Sequence, residues 1–211
     1  MKKLYQTGAA VMAAAVLFTG AYQYRSHKLQ SELANQILRF HVIANSDTKA
    51  DQELKLKVRD EIGAYLGKEL ADVGDLEECE QAVSARLAQI ENCAREVIAK
   101  EGYDYKAEAM IGEVDFPKKT YGNYTFPKGN YRALKVVIGS GRGENWWCVM
   151  YPNLCFSGSV YEVIDENSQK ELQAVLTEEE YAEIMAEGEI KVRFKYLKAV
   201  LEKVRKLMDG R

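Results

Sequence analysis

Ile37-Leu38-Arg39-Phe40-His41-Val42-Ile43-Ala44-Asn45-Ser46-Asp47 is the stretch on which the fold turns. Residues 37–43 are rich in β-branched and aromatic side chains, the composition of a strand. Asn45, Ser46 and Asp47 end it, because short polar side chains take up backbone hydrogen bonds at turns and helix starts. Beyond them Leu54, Val58, Ile62 and Leu66 recur every four residues. That spacing puts one apolar stripe on a helix beginning near Ala50. The segment 67–74 is a break. Asp75 then caps a second helix reaching about Lys100, with Leu76, Val83, Leu87, Ile90, Ala94 and Val97 on its buried side, and Gly102 stops it.

From there the period drops to two. Tyr105, Ala107, Ala109 and Ile111 alternate with Lys106, Glu108 and Met110, as on a half-buried strand. Phe116-Pro117-Lys118-Lys119 and Pro127-Lys128-Gly129-Asn130 are turns around a short strand at 121–126. Arg132, Leu134, Val136 and Ile138 share one face of the next strand. Residues 139–143 form a hairpin loop, and 146–150 return as a strand. Thr177-Glu178-Glu179-Glu180 fits a capping box, a threonine cap with a glutamate three positions on. Residues 191–208 are a final helical run. This order predicts an α+β fold: an antiparallel sheet with helices packed on one face, plus C-terminal helices that form an appendage or an additional layer. Leu54, Val58, Ile62, Leu87, Ile90, Leu134 and Val136 are the expected core.

The chain has 211 residues with a formal net charge of −3, enough for one domain with a real core and no basic excess that would suit nucleic acid. Lys2 and Lys3 precede an uncharged stretch from residue 4 to residue 24. A basic start, a short apolar core and small residues near Thr19-Gly20-Ala21 make a signal-peptide pattern. The same run is long enough to span a bilayer as one helix, so residues 1–24 read as a signal peptide or an N-terminal anchor. Residues 25–36 would form a stalk, 37–160 the α+β domain and 161–211 a C-terminal helical region. In either case the domain is expected outside the cytoplasm.

Four cysteines follow the export segment. Cys79 and Cys93 fall in one expected helix, about 21 Å apart along its axis, too far for a bridge. Cys148 and Cys155 flank a turn at Pro152-Asn153, where a disulfide would contribute about 2.5 kcal/mol in the chain-entropy model. Two buried free thiols are the alternative. The cysteine spacing is no zinc signature and the two histidines are isolated, so neither metal nor cofactor is expected.

His41, Ser46 and Asp47 invite a hydrolase reading, but residues this close in sequence do not ordinarily fold back into a triad, and capping accounts for the polar ones. Gly139-Ser140-Gly141-Arg142-Gly143 lacks the following helix and the Gly-Lys-Ser/Thr ending of a phosphate loop. Trp146 and Trp147, adjacent in a strand, must point to opposite faces. One enters the core. The other faces outward as a binding anchor or lies under the C-terminal helices.

The block from Leu38 to Asp47, with Asp51-Gln52 and Leu54-Lys55-Leu56-Lys57-Val58-Arg59-Asp60, resembles the opening of the stage II sporulation protein R family. A second block is similar: Phe116-Pro117, Tyr121-Gly122, Pro127, Gly129, Tyr131, Ala133-Leu134 and Val136-Val137-Ile138-Gly139. It continues through Gly141, Gly143 and Asn145-Trp146-Trp147-Cys148-Val149 to Pro152 and Leu154-Cys155-Phe156. Asn153 stands where the family's turn carries a proline. The resemblance implies a protein made in the forespore and exported into the space between two membranes. There it would trigger a membrane-embedded aspartic protease of the mother cell, which processes the sigma-E precursor. It implies no catalytic residue. Arg39, His41, Asn45, Ser46, Asp47, Trp146 and Trp147 become candidates for partner contact or shape. Beside this stands a structural or cell-wall-binding protein of the same compartment.

Overall fold

The alternation of Leu38, Phe40 and Val42 with Arg39, His41 and Ile43 makes β1 (Leu38–Ile43) a strand buried on both faces. A computed structural model describes residues 2–154 and 166–188. In it β1 is an interior strand. Before it runs α1 (Lys2–Ala34), and after it come α2 (Lys49–Glu69), α3 (Leu76–Ser84) and α4 (Leu87–Lys100). Then follow β2 (Ala107–Phe116), the hairpin of β3 (Lys119–Tyr121) and β4 (Tyr124–Phe126), β5 (Gly129–Ile138) and β6 (Asn145–Tyr151). Two further helices are α5 (Glu166–Val175) and α6 (Glu178–Gly188).

The fold is α+β, with a four-stranded sheet in the order β2-β5-β1-β6. The sheet is mixed rather than wholly antiparallel: β1 lies parallel to β5 and antiparallel to β6. The chain leaves β1 through three helices and comes back down as β2. β5 then turns up beside β2 and so runs the way β1 runs. To reach the far side of β1, residues 139–144 cross over its end, so this glycine-rich segment is a crossing and not a hairpin. A methyl group at Gly143 would overlap the Ser46 carbonyl below it, and Gly139 holds φ at +58°, a conformation that side chains resist. Both glycines are required by the crossing.

One sheet face carries Phe40, Val42, Leu134, Val136, Trp146 and Cys148 against α2, α3 and α4. Leu54, Val58, Ile62, Ile90, Leu134 and Val136 are buried as expected, whereas Leu87 is only partly so. Leu87 opens α4 because the helix expected over 75–100 is broken at Ala85 and Arg86. Arg86 leaves helical geometry, and its guanidinium bonds Ala82 O and Glu69 of α2. Cys79 and Cys93 therefore sit on different helices, both free, one buried and one half-buried.

The other face holds a second core, so helices cover both faces. Here Leu29, Leu33 and Ile37 pack with Phe116, Phe126 and Tyr131, the β3–β4 hairpin, and Leu172 and Ile184 of α5 and α6. The last turns of α1 are thus built into the domain. Further out, Leu17 is 74% and Phe18 75% exposed. Among the described residues no helix is long and apolar enough to cross a membrane. The capping box is formed: Glu180 N donates to Thr177 Oγ1 at 3.3 Å and Thr177 N to Glu180 Oε2 at 2.8 Å. The helical run at 191–208 lies outside the described residues.

Candidate functional site

The two blocks singled out in the sequence meet where the glycine crossing lies over the β1–α2 loop. Asn45 Nδ2 donates to Asp51 Oδ2 at 2.9 Å, and Asn45 Oδ1 accepts from Ser140 N at 2.9 Å. Ser140 Oγ donates to Asn45 O at 2.7 Å, Gly143 N to Ala44 O at 2.9 Å, and Glu144 N to Asp47 Oδ1 at 2.6 Å. Ser46 Oγ donates to Asp51 Oδ2. The helix cap is Thr48, whose hydroxyl accepts from Asp51 N at 3.2 Å, not one of the three residues before it. The pattern Thr48-Lys49-Ala50-Asp51 carried that signal. The Asp51 carboxyl is held below its usual range by the Ser46 hydroxyl and, less strongly, the Asn45 amide. Lys55 reaches across to Glu144 O at 3.0 Å. Asn45, Ser46 and Asp47 are therefore fastened into a latch between the two blocks.

On the second sheet face the strand registers line up side chains in rows. Met110, Lys135, His41 and Trp147 form one row across all four strands. Gly112, Ala133, Arg39 and Val149 form the next. Arg39 is 0% exposed, with its guanidinium 4.2 Å from the Phe116 ring centre, 5.0 Å from Tyr131 and 5.4 Å from Phe126. Its Nε donates to Cys148 O at 3.0 Å and its Nη2 to Tyr121 Oη at 3.1 Å, while Nη1 has no hydrogen-bond partner. Burial lowers its pKa, and the ring faces offset part of the cost of a charge that has no carboxylate partner among the described residues. Arg39 thus ties the hairpin to the sheet and presents no surface.

His41 lies flat against Trp147, ring centres 3.8 Å apart and planes 13° from parallel, with Phe116 edge-on at 5.9 Å. Its Nε2 pairs with Asn145 Oδ1 at 2.9 Å, and Nδ1 has no partner. Burial pushes its pKa down to about 4, with Lys135 adding to the fall, so the ring is neutral near pH 7. Trp146 turns the other way, edge-on to Phe40 at 5.3 Å, with the Arg59 guanidinium 5.1 Å from its ring centre. Trp147 is the half-buried member of the pair. Cys148 is buried and disulfide-bonded, and Cys155 lies outside the described residues. Lys135, Asn145 and Met110 are not among the contact candidates the sequence offers, because cross-strand register cannot be read from a single strand.

The family described as Stage II sporulation protein R (spore_II_R) matches residues 34–161, a span that includes the latch and the rows. The chain belongs to that family, and so to the proteins of sporulation. It is 34% identical over 158 residues to Stage II sporulation protein R of Bacillus subtilis (strain 168), an alignment covering 74% of this chain and 70% of that protein. No solved structure matches it.

Proposed function

We propose that this chain acts outside the cytoplasm as a protein ligand with no turnover of its own, switching on a membrane-embedded aspartic protease that processes the sigma-E precursor. Family membership supports a role in sporulation, and the finer role is what the resemblance of the two blocks implies. The observation that carries the non-catalytic part is the way His41, Ser46 and Asp47 are bonded. His41 is neutral and paired to Asn145, Ser46 donates to Asp51, and Asp47 accepts from the Glu144 backbone. Three side chains with separate partners make shape, not a nucleophile relay.

Activation by a ligand is a population shift, driven only by tighter binding to the active state than to the inactive one. Moving a protease from 1:99 to 99:1 takes about 5.5 kcal/mol of differential binding, within reach of one aromatic anchor and a few charged contacts. The test is co-expression of the chain with the protease and the precursor in a non-sporulating host. Cleavage that requires the chain supports the proposal, and cleavage at the same rate without it removes the ligand role.

A further inference from the structure

The second sheet face is closed at one end and open at the other. At the Arg39 row it is roofed by Phe116, Phe126 and Tyr131. One row further, Met110 is 44% exposed, and Lys135 and Trp147 are half-buried. The row beyond that, Glu108, Val137, Ile43 and Asn145, has both ends exposed. Lys135 makes no ion pair among the described residues, although Glu108 is its diagonal neighbour. Beside it, His41 Nδ1 is buried without a partner in a residue only 4% exposed. With Nε2 donating to Asn145, Nδ1 is left as an acceptor.

Resting on the function proposed above, we infer that the Met110–Lys135–His41–Trp147 row is the docking surface for the protease, and that it takes a segment pairing a carboxylate with an apolar side chain. The chemistry of the row sets the occupant. Lys135 is a cation flanked by apolar and aromatic groups, so an incoming carboxylate would meet it with little competing water. Met110 is flexible and polarisable and Trp147 rigid and flat, two surfaces that suit an apolar side chain on either flank of that charge. His41, 4% exposed under Trp147, is the floor of the row, and the segment meets Met110, Lys135 and Trp147 above it.

The experiment uses the full chain with protease and precursor in membranes. A photo-crosslinking amino acid replaces Met110 or, as a control on the opposite helical layer, Lys68. Lys135→Glu, Lys135→Arg and Lys68→Glu are compared for precursor cleavage, with a melting curve for each. The expected result is a cross-link to the protease from position 110 and not from 68, lost in Lys135→Glu. Cleavage should fall about tenfold or more in Lys135→Glu, as for loss of an interfacial charge pair, and persist in Lys135→Arg and Lys68→Glu. Folded Lys135→Glu that cleaves normally while position 110 gives no cross-link overturns the docking surface and leaves the ligand role standing. Wild-type chain that neither promotes cleavage nor cross-links overturns both.

Discussion

Mild acid should weaken this domain through a single side chain. His41 has a pKa of about 4 when folded against an ordinary value of 6.5, because burial under Trp147 penalises the imidazolium. Between those values the unfolded chain carries a proton that the folded one does not, so stability rises with pH. The contribution is complete above pH 6.5, declines as pH falls toward 4, and is constant below. The shift corresponds to about 3 kcal/mol, a large part of the stability of a small domain. His41→Gln removes the titrating group, so its unfolding free energy should be nearly flat over the same interval. Urea denaturation at a series of pH values, followed by tryptophan fluorescence, measures both curves. Parallel curves for wild type and His41→Gln between pH 4 and 6.5 would refute the buried, neutral histidine.

Asn45→Ala removes one donor from the part-buried Asp51 carboxylate and frees the Ser140 N–H to water, so it should cost about 1.5–3 kcal/mol in urea denaturation. Gly143→Ala pushes a methyl group into the Ser46 carbonyl and should cost about 1–3 kcal/mol, whereas Gly112→Ala, with open space around it, should cost far less. Asp51, whose folded pKa is depressed, stabilises above its unfolded pKa of about 3.9 and loses that contribution as pH falls below it. Asp51→Asn should accordingly flatten the stability curve only below about pH 4, a window separate from that of His41. In protein recovered from outside the cytoplasm, Cys148 and Cys155 should alkylate only after reduction, while Cys79 and Cys93 react on unfolding alone. Free alkylation of all four would rule the expected bridge out.

Local patterns carried much of this architecture. The four-residue recurrence from Leu54 to Leu66 named the buried stripe of α2, the alternation at 105–111 named β2, and Thr177 with Glu180 named the start of α6. What stayed hidden depends on partners distant in sequence. Arg39 reads as a candidate for partner contact or shape until the register brings Phe116, Phe126 and Tyr131 over it. The parallel pairing of β1 with β5 follows from where β2 lies, which no window of sequence contains. The break at Arg86 is set by its bonds to Ala82 and to Glu69 of a neighbouring helix, in a stretch whose helical spacing shows no stop signal. For the site the division is similar. Residues 45–47 were legible as a cluster, but their role as a latch appears only with residues 139–144 laid across them.

The measurement that bears most directly on the ligand proposal is precursor cleavage in membranes holding the protease, with and without this chain added on the extracytoplasmic side, repeated with a protease whose catalytic aspartates are replaced. Cleavage is expected only when chain and intact protease are both present, at a rate that saturates with added chain. Cleavage that persists with the inactive protease, and is abolished by His41→Ala in a chain that stays folded, would place the chemistry in this chain and contradict the ligand role.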